Sequence, residues 1–206
     1  APCAASTERG AITLPYEHSE AMAAIARAQD ARDRIVGTVL GEAADRWSDE
    51  WRTLKPMPFR FASWVGYDMD GRTDIKWYHS IGFRLAEKGE RLERYASSLR
   101  DFDSGHELVA TLDRAASEAR ARAADFASDL TEPEALSAAA NRLTADHPDK
   151  LTSLVPIIAR LETEAQDADR DQAVALKTLA AAMRADGLGM GWIHFRVNAS
   201  QLHNAI

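Results

Sequence analysis

From Glu17 onward, apolar residues recur at helical spacing. Ala21, Ile25, Ala28, Ile35, Val39 and Ala43 make a stripe, with Arg27, Asp30 and Arg34 between them. The spacing predicts an amphipathic helix of about 30 residues, well above the ~11–12 usual in globular domains. Ser19 or the acidic Glu17 is expected in its first turn, where an acid suits the helix dipole. Residues 1–16, with Pro2, Gly10 and Pro15, read as an irregular lead-in carrying a short strand at 11–14. A second helix is expected from near Asp74 to Asp101, with Ile81, Leu85, Leu92 and Leu99 on one side. A third spans 106–129. In Thr131-Glu132-Pro133-Glu134, Thr131 is the expected cap and Glu134 closes a capping box for a fourth. A fifth spans 152–184, with Pro156 in its first turn, where a missing amide donor costs little.

Two segments depart from this period. The prolines of Lys55-Pro56-Met57-Pro58 remove two amide donors and favour extended geometry. Residues 59–65 follow, aromatic and β-branched, and read as a buried strand. Its loop, residues 66–73, holds Gly66, Gly71 and an Asp70-Gly71 step. After Asp186-Gly187 stops the fifth helix, residues 189–196 read as a second buried strand, whose close glycines imply tight packing. Asn198-Ala199-Ser200-Gln201 opens another turn or helix. The expected class is mainly α, one unit over 1–206, with long helices and two short strands.

Composition narrows the functions. The chain has 206 residues, is 46% hydrophobic and carries a formal charge of −7, which supports a core and argues against general nucleic-acid binding. A small anion needs only two or three arginines, so an anionic substrate stays open. Cys3 is the lone cysteine, so no disulfide within the chain is expected, which fits a reducing, cytoplasmic setting. No apolar run approaches the ~20 residues that span a bilayer, so no membrane partner is expected. The first residues read as no signal peptide, and the missing initiator Met points to a trimmed or excised chain.

Chemistry is concentrated at the strand ends. Where parallel strands carry a site, ligands gather at their carboxyl ends. The first strand delivers loop 66–73 and the second delivers Arg196, whose planar fork matches phosphate and carboxylate oxygens. Arg196 therefore reads either as an anion ligand or as the partner of a nearby carboxylate. Asp68, Asp70 and Asp74 do not make a calcium loop, because Gly71 and His79 fall at the wrong positions. They read as a solvated turn. His18, His79, His106, His147, His194 and His203 form no zinc pair. His194 reads as structural, and the arginines of the long helices read as solvated faces balanced by acids.

Phe59-Arg60-Phe61-Ala62-Ser63-Trp64-Val65-Gly66-Tyr67-Asp68-Met69-Asp70-Gly71 resembles the phosphoenolpyruvate carboxylase motif F-x-S-W-M-G-G-D-R-D-G-N-P. Residues 187–200 resemble that family's F-G-(x)n-L-D-I-R-Q-x-S segment, with Arg196 on its arginine. The resemblance touches about 30 residues directly. It implies a fragment of a helix-rich β/α barrel in which the two short strands run parallel. It also implies an enzyme, a carbon–carbon lyase, that joins bicarbonate to phosphoenolpyruvate, giving oxaloacetate and phosphate, with Mg²⁺ or Mn²⁺, as a homo-oligomer when full-length. Arg196 would hold the substrate phosphate and Trp64 would wall the pocket. Gly66, Asp68, Asp70 and Gly71 would shape the loop, with Arg72 carrying its positive charge. Tyr67 replaces the motif's second glycine, Met69 its arginine and Arg72 its asparagine, while Val197 and Asn198 replace a glutamine and an acid. The family's His-Pro-Thr strand, acidic metal ligands and glycine-arginine loop have no counterpart here, and His147-Pro148 lies between helices. No catalytic residue is assigned, and the chain alone is expected to be inactive. The alternative is a helical interaction module without chemistry. The first reading requires strands side by side and parallel, with Arg196 and loop 66–73 at one end. The second expects antiparallel or unpaired strands, with Arg196 neutralised by a carboxylate.

Overall fold

The computed structural model describes residues 12–47, 50–127 and 129–205. Cys3 and most of the expected lead-in lie outside them. The first helix, α1 (Leu14–Arg46), begins three residues before Glu17, where the helical pattern is expected to start. Thr13 is its N-cap, accepting from the Tyr16 amide at 3.4 Å, and Pro15 occupies its first turn. Leu14 is therefore helical, and residues 12–13 form no strand. A 3-10 turn follows at Glu50–Thr53, then strand β1 (Ala62–Ser63) and helices α2 (Trp77–Arg100) and α3 (Glu107–Ala124).

Helix α4 (Pro133–Thr144) opens one residue off the expected capping box. Pro133 takes the first helical position, which makes Glu132 the cap, without a side-chain bond. The fixed φ of proline thus overrides the Thr131 signature. The expected fifth helix is two, α5 (Val155–Asp167) and α6 (Arg170–Asp186). Asp169 divides them, because its carboxylate accepts from the Gln172 amide at 2.9 Å and caps α6. Strand β2 (Trp192–Ile193) and helix α7 (Ala199–Ala205) complete the described chain. The protein is mainly helical with two short strands.

Helix α2 lies along α3, α5 along α6, and α1 against α6. Leu40, Leu92, Leu99, Leu112 and Leu161 are fully buried between them. Truncating any one to Ala would cost about 2–5 kcal/mol, because the close-packed surroundings collapse only partly. The buried face of α1 departs from the apolar stripe. Ile35 and Val39 are exposed, whereas Gln29 and Arg32 are buried. Partners explain the exchange. Gln29 donates to the Met190 carbonyl at 2.7 Å, and Arg32 is doubly bonded to Asp186 at 2.7 and 2.8 Å. Arg91 of α2 reaches the same carboxylate at 2.6 Å. Arg32 and Arg91 are therefore core residues, not the solvated face expected of them.

These bonds position the strands. Arg32 also reaches the Phe59 carbonyl at 3.3 Å, and Met190 packs on Met22 and Ala26 of α1. Strands β1 and β2 pair in parallel, Ala62 opposite Trp192 and Ser63 opposite Ile193. Both are much shorter than the expected 59–65 and 189–196, and neither is buried as a whole. Phe59, Trp64, Trp192 and Phe195 are all exposed. Their contacts are local: Phe59 meets the edge of Phe61 with centroids 5.3 Å apart, and Arg60 covers the Trp192 ring at 4.6 Å. The tight packing expected near the glycines is present. A Cβ on Gly191 would stand 3.0 Å from the Phe61 carbonyl oxygen.

Candidate functional site

Past β1 the chain turns sharply. The Tyr67 amide donates to the Trp64 carbonyl at 2.9 Å, and Gly66 sits at φ +89, a conformation other residues rarely adopt. Ser80 of α2 donates its hydroxyl to the Gly66 carbonyl at 2.7 Å. A Cβ on Gly66 would be 2.8 Å from the Phe83 ring. Gly66 is therefore fixed by geometry.

The turn aims Tyr67 inward. Its phenol is buried and donates to Glu87 at 2.5 Å. Burial, reinforced by the Glu87 charge, pushes the phenol pKa well up. Glu87 is a hub. His18 of α1 bonds the same carboxylate oxygen at 2.9 Å and stacks on Phe83 with centroids 4.1 Å apart. Arg84 bonds the other oxygen at 2.9 Å and also reaches the Gly191 carbonyl at 2.9 Å. Loop, α1, α2 and the entry to β2 thus meet at one buried carboxylate.

After Tyr67 the backbone rejoins the second strand segment. The Arg196 amide donates to the Tyr67 carbonyl at 3.1 Å, and the Met69 amide to the Arg196 carbonyl at 3.0 Å. This parallel bridge sets Asp68 beside Arg196. Their side chains pair at 2.9 Å, with Arg196 56% exposed and Asp68 16%. Asp68 Oδ1 is buried and has no partner among the described residues. Arg72 is held by Asp74 at 2.6 and 2.9 Å and by Glu17. These carboxylates raise the Arg72 pKa and, as the other side of the same pairing, lower that of Asp74. Arg72 is thus a loop clamp, already supplied with two acids.

Of the expected site residues, Asp68 and Arg196 are brought into contact, and Gly66 forms the turn beneath them. Asp70, Gly71 and Arg72 continue along the loop. Asp70 and Arg72 line a surface cavity of about 760 Å³ with Met69, Lys76 and Trp77. Trp64 stays largely exposed. His194 is an exposed backbone partner, its amide donating to the Ser63 carbonyl at 2.9 Å.

The Mg²⁺ or Mn²⁺ implied by the resemblance does not fit these residues. Among those described, no three His, Cys, Asp or Glu side chains are placed to hold a metal ion. Asp68 is engaged by Arg196 and Asp74 by Arg72.

Ser80, Arg84 and Glu87 escaped the sequence reading. Their signal is a polar stripe on α2: Ser80, Arg84, Glu87 and Arg91 recur at helical spacing, and three of the four are buried. The apolar pattern of Ile81, Leu85 and Leu92 hid it.

No family model matches the chain, and no match is found among curated proteins or among solved structures. No helix of the described residues is long and apolar enough to cross a membrane.

Proposed function

We propose that this chain is part of a phosphoenolpyruvate carboxylase-like enzyme, a fragment of a helix-rich β/α barrel, and that its share of the active site is an oxyanion cradle at the strand tips. The observation carrying the reading is the parallel bridge between Asp68 and Arg196. It brings a guanidinium and the glycine-bounded loop to the carboxyl ends of two parallel strands, where such sites are built. In the reaction, a bicarbonate oxygen attacks the phosphorus of phosphoenolpyruvate. The phosphorus–oxygen bond to the enol breaks, giving carboxyphosphate and an enolate, and the enolate carbon then takes the carboxyl carbon as its bond to the phosphate oxygen breaks and phosphate leaves. Negative charge on the transferred phosphoryl group calls for fixed cations, and Arg196 supplies one. Trp64 offers an aromatic wall, and Gly66, Asp68, Asp70, Gly71 and Arg72 define the loop. Mg²⁺ or Mn²⁺ would be supplied by residues outside this set.

Phosphoenolpyruvate titrated into the purified chain should shift the Arg196 side-chain resonance, and Arg196→Gln should abolish that binding. Absence of any Arg196-dependent binding overturns the reading. The chain alone is expected to make no oxaloacetate from bicarbonate and phosphoenolpyruvate, and turnover by the 206-residue chain would overturn its assignment as an incomplete site.

The Asp68–Arg196 pair favours a second reading, a helical interaction module without chemistry. In that case Arg196→Gln changes stability slightly and leaves no ligand response to lose.

A further inference from the structure

We propose that Asp68 is the resident counter-ion of Arg196, and that an oxyanion of the phosphate or carboxylate class binds by taking its place. The inference rests on the reading of the strand tips as an oxyanion site, and it assigns Asp68 the role of a competitor that sets affinity.

Three features argue for exchange. First, the backbone enforces the pairing. Arg196 and Asp68 face each other because the Arg196 amide bonds Tyr67 and the Met69 amide bonds Arg196. The backbone leading to Asp68 is held as well, since Ser80 bonds the Gly66 carbonyl and Glu87 bonds Tyr67. Second, the pair is incomplete. One guanidinium nitrogen, Nη1, meets Asp68 Oδ2, while Oδ1 is buried with no partner among the described residues. A two-pronged oxyanion matches the arginine fork better than this single contact. Third, the guanidinium is 56% exposed. The pair is open to solvent at its Arg196 end, so solvent screens the contact there and an incoming oxyanion can reach the guanidinium. The neighbouring cation Arg72 does not share the task, being held by Glu17 and Asp74.

The test uses the full chain at fixed low ionic strength, with inorganic phosphate and phosphoenolpyruvate as probes. Dissociation constants are read from the Arg196 Nε resonance. Asp68→Asn should bind both probes at least about threefold more tightly than wild type, as should Asp68→Ser, and adding Arg196→Gln should abolish binding. Equal or weaker binding by the Asp68 variants, still lost with Arg196→Gln, overturns the counter-ion role and leaves the oxyanion site standing. No Arg196-dependent binding in any background overturns both. A measurement on wild type needs no variant to fold: saturating phosphate should shift the Asp68 carboxylate carbon resonance as its guanidinium is withdrawn. An unmoved Asp68 signal beside a shifted Arg196 overturns the exchange.

Discussion

Tyr67 and Glu87 join the loop after β1 to the middle of α2 through a buried phenol–carboxylate bond of 2.5 Å. Glu87 also serves His18 and Arg84, and its removal strands several buried groups at once. Glu87→Ala should lower stability by about 3–5 kcal/mol. Tyr67→Phe removes one bond to a charged acceptor and should cost about 1.5–3 kcal/mol. Urea unfolding reads both, and amide exchange at Asp68 and Met69 should quicken in each variant. A neutral Glu87→Ala would show that the hub does not hold the loop.

The two glycines of the loop should respond differently to the same change. Gly66 combines φ +89 with a Cβ position 2.8 Å from the Phe83 ring. Gly66→Ala should therefore cost at least about 2 kcal/mol. At Gly71 the nearest atom to an added Cβ is Asp68 Oδ2 at 4.0 Å, so Gly71→Ala should stay within about 0.5 kcal/mol of wild type. Thermal unfolding of the two variants checks the contrast. Equal effects would remove the steric account of Gly66.

Periodicity revealed the helices because burial of an amphipathic face needs no distant partner to be recognised. It misplaced what depended on partners. The face of α1 turned toward Gln29 and Arg32 because Met190 and Asp186 lie across from them, 161 and 154 residues away in sequence. The division of the expected fifth helix was legible in principle, since Asp169 is a strong cap before Gln172, yet helix-favouring sequence on both sides masked it. At the candidate site, Arg196 and loop 66–73 were found from strand ends and glycines. The pairing of Arg196 with Asp68 was an open alternative that only register could decide, and that register is set by two backbone bonds. The polar stripe of α2 was visible but had no meaning until Tyr67 and His18 were known to face it.

Asp186 receives both Arg32 and Arg91, with all three side chains almost wholly buried. Removing the shared acid takes the carboxylate from Arg91 and leaves Arg32 with the adjacent Asp33 alone, whereas losing one arginine leaves the other in place. Asp186→Asn should destabilise by about 3–5 kcal/mol, and Arg91→Met by less. Because Arg32 also holds the Phe59 carbonyl, Asp186→Asn should loosen the strand pair too. Chemical denaturation gives the ranking, and a more stable Asp186→Asn would refute the assigned coupling.

Alkaline stability follows from the buried phenols. Burial pushes Tyr67 and Tyr95 above the ordinary 10.0, Tyr95 to about 12. Each pKa is higher folded than unfolded, so each contribution is complete below pH 10 and is lost as pH rises toward the folded value. Above pH 10 the unfolded chain has released protons that the native state keeps, so stability falls by up to about 1.4 kcal/mol per pH unit per tyrosine. Burial lowers Lys88 and Lys177 below 10.5, which acts in the opposite direction. Those lysines bind fewer protons folded than unfolded, and their contribution rises with pH but levels off once the unfolded lysines have titrated. The net decline should therefore steepen above pH 10.5 and be clearest between there and pH 12. Unfolding midpoints in urea across that window measure it. Tyr95→Phe, although it also gives up the bond to the Gly187 carbonyl at 2.9 Å, should flatten the decline, since one of the three phenols raised above 10.0, with Tyr67 and Tyr78, is gone. A slope unchanged by Tyr95→Phe would place the alkaline transition on other groups.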